Sequence, residues 1–209
     1  TSLYAFRGLL FCCLQRVAEY NRPIAYAISA RVRFKVKFKS TPNRCVQLDG
    51  KEIWISRSVT VLPVIFFVSK GAQYVPLGLR GEDLPEGVGQ WGLPGGYLDY
   101  DETATQAVYR EVWEELGLDI PQLLEDFRFE GNLDQPYEVY SAPLRRQNVT
   151  LKYALMFHLG DADLPKLNPQ VSKGEVVEAR WFEVDKALKM TLAFNHHGVM
   201  QECLDRCYT

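Results

Sequence analysis

Arg110, Glu111, Glu114 and Glu115 are residues whose types and spacing could do chemistry. The stretch from Asp101 to Leu116 reads as a helix, and Gly117 stands where helices often end on a left-handed residue. At about 100° per residue, the three glutamates fall within an arc of roughly 100°. Like charges so placed repel each other, which costs stability unless something positive sits among them. Val108, Val112 and Leu116 occupy the neighbouring face and can bury the helix, so the acids border the core. A hard divalent cation with oxygen ligands satisfies that arrangement. A solvated acidic face is the plain alternative, and Glu-x-x-Glu-Glu by itself does not separate the two.

The surrounding residues do. Gly96 is followed after five residues by Glu102, and after seven more by Arg110-Glu111-Val112; Glu114-Glu115 and Gly117-Leu118 complete the series. This segment resembles the Nudix box, with no departure at any defined position. The resemblance is specific over about residues 91–118, looser over 56–192, and does not cover residues 1–50. It implies a metal-dependent hydrolase. Glu111, Glu114 and Glu115 would bind Mg²⁺ or Mn²⁺ with help from the carbonyl of Gly95. Arg110 would orient Glu111 through a charge-assisted hydrogen bond. Glu102 would support the motif from its other end. Gly95 and Gly96 would let the backbone approach metal and phosphate closely. The chemistry follows from charge: a diphosphate repels an incoming water, metal ions neutralise that charge, and a carboxylate takes the water's proton.

Such sites often take a further acid from a loop after the box. Gly174-Glu175 and Arg180-Trp181-Phe182 are similar to the family's distal pattern, which makes Glu175 the candidate catalytic acid, with Glu178 in reserve. Arg80, and Arg145-Arg146, are of the type that meets phosphate. Tyr97, Tyr100 and Trp91 lie near the box; Tyr137, Tyr140 and Phe194 lie in segments that could fold back over it. One or two of these aromatics could stack on a base, with Tyr97 and Tyr137 the leading candidates; most aromatics are simply core. His158 reads as structural. His196-His197 follows Phe194-Asn195 at a helix start, and in some relatives a similar Phe-x-His segment lies near the substrate.

Elements must hold these residues in place. Val59 to Val68 reads as a buried strand and Tyr74 to Leu79 as a second. Leu93-Pro94-Gly95-Gly96 is a tight strand-to-loop turn before the helix. Val149 to Leu159 is another strand and Ala179 to Val184 a short one. A helix is expected to start at Asp185 and run to Leu192, and a last one covers 195–207. Strands and helices mix without a βαβ rhythm, which favours a mixed-sheet sandwich over a doubly wound fold.

The chain has 209 residues, 47% hydrophobic, enough for a real core and against global disorder. Residues 1–50 carry nine Lys or Arg against two Asp or Glu, whereas the whole chain is at −2, so the two parts present different surfaces. Leu3, Phe6, Leu10, Leu14 and Val17 have helical spacing over residues 3–20. Over residues 31–39, Arg and Lys alternate with Val and Phe as in a strand. We read that basic face as the wet side of an edge strand rather than a nucleic-acid track. Asp49-Gly50 reads as a turn. Five cysteines (12, 13, 45, 203 and 207) without a CxxC pair favour neither a disulfide framework nor zinc, and point to a reducing compartment. No apolar run is long enough to span a bilayer. Thr1 suggests a processed or trimmed start, and the Arg-rich first 39 residues are too poor in Ser to favour a transit peptide.

These readings give an α/β protein: a Nudix-type α/β/α sandwich with a mixed sheet over 51–209, plus a basic N-terminal extension over 1–50. The expected function is hydrolysis of a phosphoanhydride in a nucleoside diphosphate linked to another moiety, of the ADP-ribose, nucleotide-sugar or dinucleotide class. Nucleoside triphosphate pyrophosphohydrolysis is the alternative within the enzyme class, and a non-catalytic ligand sensor is the alternative outside it. The expected partner is a small nucleotide, with no membrane or nucleic acid, a cytoplasmic location, and a homodimer or substrate contact as the role of the extension.

Overall fold

The computed structural model describes residues 44–55, 59–142 and 148–208. The helix expected over 3–20, the strand over 31–39 and Arg145-Arg146 lie outside the described residues. Strands β1 (Arg44–Leu48) and β2 (Lys51–Ile55) pair antiparallel as their own two-stranded sheet. Asp49 and Gly50 join them, both at positive φ (51° and 71°), the primed turn that matches strand twist.

Strands β3 (Val59–Ser69) and β4 (Ala72–Arg80) form a second hairpin over Lys70 and Gly71. Short strands β5 (Trp91–Gly92) and β6 (Gly96–Tyr97) follow, then β7 (Arg128–Gly131), β8 (Glu138–Ala142), β9 (Asn148–Gly160) and β10 (Val176–Glu183). The large sheet has the order β10-β4-β3-β9-β7, with β5 on β4, β6 on β3 and β8 on β9. β3 and β9 run parallel, Val59 opposite Val149 through Val68 opposite His158, and the other pairs are antiparallel. A central parallel pair is covered on both faces, which is why both strands read as nearly continuous apolar runs.

Side chains alternate across this sheet and divide the core in two. Val61, Ile65, Phe67, Tyr153, Leu155 and Phe157 face helix α1 (Ala104–Leu116) and helix α2 (Ile120–Asp126). Val64, Phe66, Ala154 and Met156 face helix α3 (Val184–Ala187) and helix α4 (His196–Cys207). Each large apolar side chain so buried contributes about 1.5–3 kcal/mol. The result is the expected α/β/α sandwich on a mixed sheet. Among the described residues, no helix is long and apolar enough to cross a membrane.

Three local outcomes differ from the sequence reading. Helix α1 starts at Ala104 and not at Asp101, because Thr103 caps it: its hydroxyl accepts from the Gln106 amide at 3.2 Å, and the Gln106 side chain accepts from the Thr103 amide at 2.7 Å. Glu102 is thereby left outside the helix and folds back to accept the Asp99 N–H at 2.7 Å. The helix expected over Asp185 to Leu192 is one turn, Val184–Ala187. Helix α2 and strands β7 and β8 are too short to show periodicity in the sequence.

Candidate active site

The segment between β5 and β6 passes directly over α1. Its ends are fixed by pairing: Gly92 lies opposite Gly78 of β4, and Gly96 opposite Val61 of β3. At Gly95 and Gly96 the backbone leaves no room for a side chain. Gly95 has φ 149°, and a Cβ there would stand 2.4 Å from the Val61 carbonyl oxygen. A Cβ on Gly96 would stand 2.5 Å from Glu111 Oε1. Gly95 therefore allows the backbone to lie close against β3, and Gly96 allows it to lie close against the Glu111 carboxylate. From the other side, the Gly95 N–H donates to Glu115 Oε2 at 3.1 Å.

Arg110 is the hub of the cluster. Its Nε and Nη2 donate to the two oxygens of Glu102 at 3.0 and 2.7 Å, a two-pronged pair. Its Nη1 donates to Glu111 Oε1 at 2.6 Å and to Glu114 Oε2 at 3.1 Å, and Nη2 also reaches the Tyr97 carbonyl at 2.8 Å. Arg110 and Glu111 are buried. One guanidinium thus faces three carboxylates, and Glu115 stands beside them. Burial pushes the Glu111 carboxyl up, Arg110 opposes it, and the net shift is upward. Burial also raises Glu114, again against Arg110. Glu115 is held well above the usual carboxylate range by burial and by the charge of Glu111, with its bond to Gly95 and the charge of Arg80 opposing.

A single guanidinium, that of Arg110, is bonded to Glu102, Glu111 and Glu114, so negative charge is in excess among these acids, and their oxygens are the donors that a hard divalent cation takes. The residues present fit such an ion by charge and donor type. As placed, Glu111 and Glu114 are turned onto Arg110, and among the described residues no three acid, imidazole or thiol groups converge on one point.

The other candidate residues fall in different places. Glu175 is exposed on the turn before β10, with its carbonyl accepting from the Gly81 N–H at 2.8 Å. Its charge contributes to raising Glu114. Glu178 is engaged with Arg180 at 2.8 Å. Arg80 donates to the Glu86 carbonyl at 3.0 and 3.1 Å, and its charge is felt at Glu115. The Tyr97 hydroxyl accepts from Asn148 Nδ2 at 3.2 Å. Gly117 closes α1 at φ 73°, where a Cβ would strike the Asn168 carbonyl oxygen at 2.1 Å. Tyr137 is not with this group. Its ring packs on the second core cluster, with Arg206 of α4 5.4 Å from its centroid, and its hydroxyl is buried.

His196 enters the site in a way the sequence only hinted at. Its Nδ1 accepts from the Leu93 N–H at 2.9 Å, two residues before Gly95. That bond needs a neutral ring, and burial, with Arg80 and Lys152, lowers the pKa to about 4. This lies below the unfolded value near 6.5, so the stabilisation is fully present above pH 6.5 and is lost as pH falls toward 4. The whole effect is about 3 kcal/mol at 1.36 kcal/mol per pKa unit. Equilibrium unfolding from pH 7 to pH 4 tests it. His196→Leu is expected to cost about 1–3 kcal/mol at pH 7, because the Leu93 amide loses its partner. Its curve should also be flatter in this window than that of the wild type. Parallel curves would place the acid sensitivity elsewhere.

Comparison with known proteins places this architecture. The NUDIX domain model matches residues 61–203. The chain belongs to the Nudix family. One relative is the ADPR responsive transcriptional repressor NtrR of Acinetobacter baylyi, 27% identical over 174 residues, covering 82% of this chain. The match spans 62% of that relative's length. Another is the RNA pyrophosphohydrolase of Bartonella henselae, 26% identical over 54% of this chain and 67% of that protein. Among solved structures, the NUDIX domain of Shewanella oneidensis NrtR complexed with ADP ribose superposes with a TM-score of 0.54 at 22% identity, over 72% of this chain and 88% of that one. The bifunctional NMN adenylyltransferase/ADP ribose pyrophosphatase of Francisella tularensis, complexed with AMP and a Mn ion, gives 0.53 at 22% identity, over 73% and 42%.

Proposed function

We propose that this chain hydrolyses the phosphoanhydride of a nucleoside diphosphate linked to a second moiety, with ADP-ribose the leading member of the class. The observation that carries the reading is the buried Arg110–Glu111 pair, with the half-buried Glu114 and Glu115, beneath the Gly95-Gly96 backbone. Residues 51–209 form the catalytic domain in this reading, and 1–50 an extension for dimerisation or substrate contact. Glu111, Glu114, Glu115 and the Gly95 carbonyl would hold Mg²⁺ or Mn²⁺, which would supply charge neutralisation and a more acidic water. Arg110, braced by Glu102, fixes the Glu111 carboxylate. Glu175 takes the proton as the water oxygen bonds to phosphorus. The bridging P–O bond breaks, and its electron pair leaves with the second phosphate. Arg80 meets the substrate's negative charge.

A second reading is a ligand sensor, favoured by the relative named as an ADPR responsive repressor. A panel of ADP-ribose, a nucleotide sugar, NAD, a nucleoside triphosphate and 5′-triphosphate RNA, with Mg²⁺ or Mn²⁺ and product identification, separates the two. The enzyme reading expects ADP-ribose to give AMP and ribose 5-phosphate. Tight ADP-ribose binding with no turnover across the panel would replace it with the sensor.

A further inference from the structure

Between the one-turn helix α3 and helix α4 the chain makes an unusual corner. Phe194 has φ 53° and ψ 26°, and Asn195 has φ 61° and ψ 33°. Two successive left-handed residues without a glycine are strained, and an aromatic residue is among the least suited to that region. The neighbours hold the corner in place. Ala193 is fully buried, and His196 is buried and tied to the Leu93 amide. With these two residues turned inward, the two between them, Phe194 and Asn195, are exposed. Phe194 is 51% exposed. An exposed phenylalanine also forgoes the burial that normally justifies its presence. The corner therefore places an aromatic ring in solvent at a double cost, and such strain collects at binding sites.

The ring is held in a polar setting. The Arg80 guanidinium lies 4.7 Å from its centroid, and the His196 ring 5.7 Å away at 53°. The loop before β5 packs on the same corner: a Cβ on Gly87 would stand 3.0 Å from Arg80 Nε and 3.3 Å from the Ala193 Cβ. A shallow recess lined by Arg80, Val88, Lys173 and Val177 opens beside it. The ring is also close to the acids along the chain. Phe194 is two residues from His196, which binds Leu93, and Leu93 is two residues from Gly95, which binds Glu115. At about 3.5 Å per residue, and with the His196 side chain and the two hydrogen bonds included, that route is no longer than roughly 25 Å.

We propose that Phe194, with Arg80 against its ring, is the stacking platform for the nucleobase of the substrate. The exposed part of the ring receives the base, and Arg80, which lies against the ring and whose charge is felt at Glu115, meets the phosphates. The proposal rests on the nucleotide reading above but does not require turnover.

Calorimetric titration of the full chain with AMP and with ribose 5-phosphate tests it, comparing wild type with Phe194→Trp, Phe194→Ala and Phe194→Gly. The glycine variant removes the ring and relieves the backbone strain, so its Tm should hold or rise. The expected result is at least about fivefold weaker AMP binding in the alanine and glycine variants, with near wild-type binding in the tryptophan variant. Ribose 5-phosphate, which has no base, should bind all four equally. Wild-type AMP affinity in Phe194→Gly would overturn the platform and leave the nucleotide reading intact. An equal loss for both probes would also overturn it, since the effect would not pass through the base. Failure of the wild type to bind either probe would remove the nucleotide reading and the platform with it.

Discussion

Glu115→Gln is expected to lower kcat by about 100- to 1,000-fold, the cost typical of removing one preorganised electrostatic group. The fold should survive, because the amide oxygen can still accept the Gly95 N–H that Glu115 Oε2 now receives at 3.1 Å. It should even be eased. Burial and the neighbouring Glu111 hold the Glu115 carboxyl well above the usual carboxylate range, so at neutral pH the charged form opposes folding in the absence of a cation. A group raised in the folded state stabilises it below the unfolded pKa, and that contribution disappears as pH rises through the folded value. Neutral glutamine removes this penalty. Thermal unfolding without metal at pH 7.5 should therefore give a Tm at or above the wild type. The rise in Tm on adding Mg²⁺ or Mn²⁺ should shrink, since the variant has lost a charged ligand. Wild-type turnover together with an undiminished metal-induced shift would remove Glu115 from the metal set.

Gly96→Ala should produce the second-largest loss. Its new Cβ would stand 2.5 Å from Glu111 Oε1 and 2.9 Å from Oε2, closer than carbon and oxygen tolerate. Neither side can yield cheaply. Gly96 is held in register opposite Val61 of β3, and Glu111 is held by Arg110 at 2.6 Å. Arg110 in turn is fastened to Glu102 and to the Tyr97 carbonyl. The strain must therefore move either the loop or the carboxylate by about 1 Å, and a displacement of that size costs about 100-fold in rate. Overpacking of this kind costs about 1–3 kcal/mol in stability. Steady-state kinetics and denaturant unfolding check both parts. An alanine variant with wild-type kcat would mean that Glu111 reaches its working position without the close approach of this backbone.

The acidic helix was readable from the chain because its signals are local. Glu111, Glu114 and Glu115 share a face by helical spacing alone, Val108, Val112 and Leu116 mark the buried stripe, and Gly117 marks the end. Strands β3 and β9 were equally plain, since a strand covered on both faces carries an apolar run of its own length. The start of α1 was missed by three residues even though its determinant is local. The reciprocal Thr103–Gln106 bonds end the helix there, and this frees Glu102 to brace Arg110. Short elements such as α2 and β8 left no periodicity to read.

The rest depended on contacts between residues far apart in sequence. By itself, the sequence determined which side chains carry charge on α1 and that the Gly95-Gly96 turn precedes it. Only the tertiary structure decided that this turn presses onto Glu111 and Glu115, because pairing of β5 with β4 and of β6 with β3 sets its height above the helix. The same long-range packing brought the charge of Glu175 within reach of Glu114 and moved Tyr137 to the α4 side of the sheet. It also drew His196 beneath Leu93 and left Phe194 outside with Arg80. Helical and strand periodicity is set by neighbours three, four or two residues apart, whereas these placements are set by which strands pair and which faces are covered.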